Sequence, residues 1–120
     1  MSEIVLAVVG SRDCKDKARV FQEIDGWCAA NGTPGRIVSG GANGVDTLAE
    51  AYAREHSIAL TVFAADWKQH GKAAGPIRNS LIVAECTHVL ALPSPSSTGT
   101  LDTIRKAQHA AKPCTIVTLT

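Results

Sequence analysis

Unbroken apolar runs alternate along the chain with stretches whose apolar positions recur every three or four residues. Ile4-Val5-Leu6-Ala7-Val8-Val9 is continuous and rich in β-branched residues up to Gly10. That is the pattern of a strand buried on both faces of a parallel sheet. Between Lys15 and Ala30, the residues Val20, Ile24, Trp27 and Cys28 fall at helical spacing, and Asn31-Gly32-Thr33-Pro34-Gly35 ends the segment. Arg36-Ile37-Val38-Ser39 is a second strand that runs straight into Gly40-Gly41. After Gly44, Val45, Leu48, Ala49 and Tyr52 share one face of a second helix, with Glu50, Arg54 and Glu55 on the other. Residues 58–63 make a third strand. The polar stretch from Ala64 to Gly75 reads as a long connection, a kind of segment that is often functional. Pro76 then opens a third helix that continues through Ile77, Leu81 and Ala84 to Cys86. His88 to Leu92 is a fourth strand and Pro93 to Ser97 a rigid turn. Thr98 or Thr100 is the expected cap of a fourth helix carrying Leu101, Ile104 and Ala107 or Ala111 inward, and Cys114 to Val117 closes the series.

Strict alternation of strand and helix predicts an α/β fold: a three-layer Rossmann-like sandwich with right-handed crossovers and a parallel sheet of about five strands. The commonest order for such a unit is 3-2-1-4-5, in one domain over residues 1–120. Ligands of open α/β sheets sit beyond the carboxyl ends of the strands where the order reverses, so the loops after strands one, two and four should form the site.

Composition narrows the chemistry. Hydrophobic residues make up 45% of the 120-residue chain and charged ones 19%, an ordinary globular balance. The formal net charge is +1 and aromatics are 4%, so no broad basic field or stacking platform is foreseen and nucleic acid is not the expected partner. Cys14, Cys28, Cys86 and Cys114 show no Cys-x-x-Cys pairing, which argues for free thiols and no zinc site. No secretion signal or membrane-length apolar run is seen, so a cytoplasmic setting without membrane contact is expected. The apolar third and fourth helices suggest a homo-oligomer.

The three loops at the expected switch point hold the unusual residues. They are Gly10-Ser11-Arg12, Ser39-Gly40-Gly41-Ala42-Asn43-Gly44-Val45-Asp46, and Ser96-Ser97-Thr98-Gly99-Thr100. Glycine lets a backbone approach an anion closely and turn its N–H groups toward it, and each helix start adds the positive end of its dipole. Three such turns at one edge favour a phosphate-bearing small molecule, with Arg12 as a bidentate contact. Asp46 is explained equally by a helix-start role and by a hydrogen bond to a sugar hydroxyl. Trp67 can stack on a base or close an apolar seam, and Arg78 with Asn79 opens a helix where an anion would sit. There is no Gly-x-Ser-x-Gly elbow, Walker-type Gly-Lys-Ser/Thr or His-Glu-x-x-His, and Gly-x-Gly-x-x-Gly is missing after strand one. No cofactor is expected.

Gly10-Ser11-Arg12, the Ser39 to Asp46 turn, and Ala74-Gly75-Pro76-Ile77-Arg78-Asn79 followed by a Gly-Thr turn together resemble the SLOG superfamily. The nearest resemblance is to its small YspA/YpsA-related members, often found in bacteria and their phages. The resemblance implies a Rossmann-like domain that binds nucleotides or nucleotide-derived signals such as relatives of ADP-ribose. It also extends to two other branches, the LOG-type nucleoside-monophosphate phosphoribohydrolases and the DNA-processing protein that loads recombinase on single strands. The LOG pattern Pro-Gly-Gly-x-Gly-Thr-x-x-Glu falls on Pro95 to Thr103. Its Gly-Thr is kept at Gly99-Thr100, its leading glycines are Ser96 and Ser97, and Thr103 stands where the glutamate would be. Asp102 is one residue early. N-glycoside hydrolysis wants a carboxylate beside the oxocarbenium-like sugar. The expectation is therefore a non-catalytic or weakly catalytic receptor or sequestering protein, with phosphoribohydrolase activity through Asp46 or Asp102 and single-strand binding as the alternatives.

Overall fold

The computed structural model describes residues 3–119. Strands β1 (Val5–Gly10), β2 (Arg36–Ser39), β3 (Ala59–Val62), β4 (His88–Leu92) and β5 (Cys114–Ile116) form one sheet in the order β3-β2-β1-β4-β5. Each neighbouring pair is parallel, with Leu6 beside Ile37 on one flank of β1 and Val8 beside Leu90 on the other. This is the architecture and strand order foreseen from the alternation of elements.

Among the described residues, five helices cross between the strands: α1 (Lys17–Asn31), α2 (Val45–Glu55), α3 (Trp67–His70), α4 (Ala74–Glu85) and α5 (Thr98–His109). The pleat sends Leu6 and Val8 to one face of the sheet, where they meet Val20, Ile24 and Trp27 of α1 and Val45, Ala49 and Tyr52 of α2. Val5, Ala7 and Val9 point to the other, against Ile82, Val83 and Cys86 and against Ile104 and Ala107. A strand apolar on both faces is thus explained by a helical layer on each side. Ile77 and Leu81 of α4 and Leu101 of α5 stay exposed on the outer surface. No helix among the described residues is long and apolar enough to cross a membrane.

The stretch from Ala64 to Gly75 corrects the expectation of a long irregular connection. It contains α3, a 3₁₀ turn over Gly71–Ala73, and the first two residues of α4. Asp66 starts it, its carboxylate accepting from the Gln69 amide at 3.1 Å, so a local cap organises the segment. The cap of α5 is also different. Ser97 holds that position, and its hydroxyl turns away to the Ser94 amide at 2.9 Å, tightening the Pro93 to Ser97 turn. Neither Thr98 nor Thr100 caps, so the first amides of α5 carry no side-chain partner. At the other end of the fold, the Lys112 ammonium donates to the carbonyls of Val83, Ala84 and Cys86 and closes the C-terminus of α4.

Candidate functional site

The carboxyl ends of β1 and β4, where the strand order reverses, open on a cavity of about 520 Å³. That lies within the usual span for small-molecule sites, ~300–1,000 Å³. Val9, Gly10, Ser11, Arg12 and Asp13 line it from β1, Ala42 and Asp46 from the β2–α2 turn, and Ser94, Ser96 and Ser97 from the turn after β4. Thr98, Gly99, Thr100, Asp102 and Thr103 of α5 form one wall. Trp67, Gly75, Pro76, Arg78, Asn79 and Ile82 form another. A second hollow of about 260 Å³ adjoins it, lined by Gly40, Gly41, Ala42, Asn43, Ala64 and Ala65 with Arg12, Trp67 and Arg78. Ser39 and Gly44 line neither.

The glycine turn is held differently from an open cradle of amides. Ser39 is fully buried, and its hydroxyl donates to Glu50 at 2.6 Å while accepting from the Gly41 amide at 3.1 Å. Glu50, assigned by periodicity to the solvent face, is therefore an anchor of the turn. The Ala42 amide donates to the Asp46 carboxylate at 3.2 Å, and the Val45 amide to the Ser11 carbonyl at 3.0 Å. Gly44 has a φ of +78°, and a Cβ there would run into the Ser11 and Arg12 backbone. Its role is to let β1 and α2 touch. Two amides of the Gly40 to Gly44 turn, those of Gly41 and Ala42, are thus satisfied within the chain, as is that of Val45.

Asp46 occupies the place an anion would take inside that turn. It is buried, and burial pushes its carboxyl up from 3.8 to about 6, against the opposing pull of the Ala42 amide and the Arg78 cation. Arg78 is 7% exposed. Its Nη1 donates to the Gly40 carbonyl at 2.5 Å and its Nε to Asn79 Oδ1 at 2.8 Å. Burial weakens its hold on its proton, Asp46 strengthens it, and the nearby Arg12 weakens it again, leaving it below arginine's ordinary range. Two guanidiniums and one buried carboxylate therefore line the same cavity.

Across the cavity, Asn79 Nδ2 donates to Asp102 at 3.0 Å and to the Gly99 carbonyl at 3.3 Å, tying α4 to α5. Lys106 pairs with the same Asp102 carboxylate at 2.8 Å. Partial burial would raise the Asp102 pKa, but the bonds from Lys106 and Asn79 outweigh it and hold the carboxyl below its ordinary value. Thr103 is buried and lines the wall. The indole of Trp67 is 52% exposed and overlies Gly75, so it does not close an apolar seam.

Of the residues singled out in the sequence, Gly10, Ser11, Arg12, Asp46, Trp67, Arg78, Asn79, Ser97, Thr98, Gly99, Thr100 and Asp102 meet around the larger cavity, and Gly40, Gly41 and Asn43 around the smaller. Asp13, Ser94 and Thr103 were missed as lining residues and Glu50 as an anchor. Only the Ser-Pro-Ser-Ser run carried any sign of them, since hydroxyls clustered at a strand end mark a polar rim. Among the described residues no group of three or more His, Cys, Asp or Glu side chains comes together to hold a metal.

The fold resembles DNA processing protein A from Streptococcus pneumoniae, with a TM-score of 0.75 and 24% identity over 95% of this chain and 50% of that one. It also resembles DNA processing protein A from Helicobacter pylori, which is described as having a unique single-stranded DNA binding mode. There the TM-score is 0.73 and the identity 21%, over 96% of this chain and 65% of that one. At these identities the likeness carries the fold, and the chain spans about half to two thirds of those proteins. It nevertheless overturns the expectation that nucleic acid is an improbable partner, because a protein sharing this fold binds single strands. Net charge is a whole-surface average and says nothing of cations gathered at one end, here Arg12 and Arg78. In sequence, the chain is 34% identical over 112 residues to the Gene 61 protein of Mycobacterium phage D29, covering 88% of this chain and 90% of that protein. Residues 4–70, which carry the Gly10 and Gly40 turns and Trp67, match the model of the YspA, cpYpsA-related SLOG family. With the sheet order, the turn motifs and this match in agreement, the chain belongs to that family.

Proposed function

We propose that this protein binds a nucleotide or nucleotide-derived ligand, of the ADP-ribose or cyclic-nucleotide kind, as a receptor or sequestering protein. The observation that carries the reading is the convergence of the turns after β1, β2 and β4 on one cavity at the switch point, with two neighbouring guanidiniums in its wall. Phosphate sits against Arg12, the remaining guanidinium nitrogen of Arg78 and the uncapped start of α5. The sugar lies toward Asp46 and a base on the exposed indole of Trp67. The capture of Asp102 by Lys106 and Asn79 favours binding over N-glycoside hydrolysis, because a carboxylate so paired is not free to face a sugar cation. Isothermal titration against ADP-ribose, cyclic ADP-ribose forms and nucleoside monophosphates tests the reading. Heat is expected from at least one, and Arg12→Ala should weaken it by about 1.5–3 kcal/mol, the worth of a charge-assisted contact. No heat from any ligand with folded protein would remove the proposal, and free base released on incubation would replace it with hydrolysis.

A second reading, a single-strand nucleic-acid module, is favoured by the fold shared with the Helicobacter pylori protein. Its mark is retention of an oligothymidylate that falls steeply as salt rises.

A further inference from the structure

The two hollows share a wall. Arg12, Ala42, Trp67 and Arg78 line both, with the larger cavity on one side and the smaller, floored by Gly40, Gly41, Asn43, Ala64 and Ala65, on the other. The cations of the site are in that partition, not at the far end of either hollow. Arg78 uses Nη1 and Nε on Gly40 and Asn79, while its Nη2 has no partner among the described residues and is not sealed from solvent. Arg12 is exposed, and none of the ion pairs among the described residues includes it. Arg12 disfavours the charge of Arg78, and the carboxylate that faces Arg78, Asp46, is itself drawn toward its neutral form. Positive charge in excess at a partition calls for an anion located there.

A terminal phosphate needs room on only one side of the cations that hold it. Here space continues on both sides. The larger hollow has the volume of a whole small-molecule site, whereas the smaller, about 260 Å³, falls below the ~300 Å³ at which such sites begin and suits one half of a ligand. Its floor of glycine, alanine and asparagine admits a flat group close to the backbone. Trp67 offers its ring to both hollows.

We propose, resting on the nucleotide reading above, that the ligand consists of two nucleoside-type groups joined by an internal phosphate, a diester or diphosphate, that lies on the Arg12–Arg78 partition with one group in each hollow. The same chemistry is found in a free dinucleotide and in a strand of nucleic acid. Titration of the full chain with thymidine monophosphate, thymidylyl-thymidine, diadenosine diphosphate and an oligothymidylate separates these cases. A bridged dinucleotide should bind at least about tenfold tighter than its mononucleotide, about 1.4 kcal/mol. Ala64→Leu, which fills only the smaller hollow, should bring the dinucleotide down to the level of the mononucleotide while leaving the latter within about twofold. Ala65→Leu repeats the block from the neighbouring position, and a circular-dichroism melt establishes that both variants are folded. An oligothymidylate that binds tighter per site than the dinucleotide assigns the strand as source, and one that does not assigns the free ligand. Equal affinity for mono- and dinucleotide, or equal loss of both on filling the smaller hollow, overturns the internal phosphate and leaves the nucleotide reading standing. Silence from every ligand removes both.

Discussion

Asp46 was legible as an acid near a helix start, and that much is local: it lies in the first turn of α2, where the dipole favours a negative charge. Its closeness to Arg78 depends on a helix far along the chain and leaves no local sign. The consequence is a definite pH dependence. The native carboxyl keeps its proton to about pH 6, whereas an unfolded one releases it near 3.8. Between those values the native state binds more protons than the unfolded state, so this residue lowers stability as pH rises through the window. Asp46→Asn keeps the acceptor for Ala42 without the buried charge. Urea denaturation should find the variant more stable at pH 7.5, by up to ~3 kcal/mol, with the gap closing at pH 4. A variant less stable at both pH values would mean that pairing with Arg78 outweighs the cost of burial.

At the scale of elements, glycine turns that look alike in sequence do different things. Gly44 must keep its positive φ and has backbone of Ser11 and Arg12 where a side chain would go, whereas a Cβ at Gly99, in the first turn of α5, meets nothing within 4 Å. Gly44→Ala should cost at least ~2 kcal/mol in chemical denaturation, and Gly99→Ala should be neutral or stabilise by up to ~1 kcal/mol. Equal effects would show that the two turns share one role after all. The segment after β3 teaches a related lesson. Asp66-Trp67-Lys68-Gln69 has the spacing of a helix start, an acceptor followed three residues later by a glutamine, but it lacks the apolar periodicity that marks longer helices. A single turn of helix buries little, so periodicity passes over it, and only the cap reveals it.

For the whole molecule, stability concentrates at the sheet centre. β1 lies between β2 and β4, with Leu6 fully buried, while β3 is an edge strand whose Leu60 is only partly covered. Leu6→Ala should cost about 2–5 kcal/mol and Leu60→Ala about 1 kcal/mol or less, read as shifts in the denaturation midpoint. Comparable costs would place the core elsewhere. Charge also has to be considered at this scale. A net charge of +1 pointed away from nucleic acid, yet the fold sets Arg12 beside Arg78 at one end of the sheet, and a sum over residues cannot register where they meet.

By itself the sequence determined the succession of strands and helices, because apolar period is a local property. It determined the sheet order as well, because right-handed crossovers leave few ways to stack such units. It also determined that three glycine-bearing turns would meet at one edge. Only the tertiary structure decided which groups of those turns face inward. Ser39 Oγ and the Asp46 carboxylate take amides that a ligand would otherwise have used. Arg78 closes on Gly40, and a wall of four residues divides the space into two hollows. The last two join residues distant in the chain, settled by burial and by the need to pair every buried polar group, and no local pattern of residues encodes them.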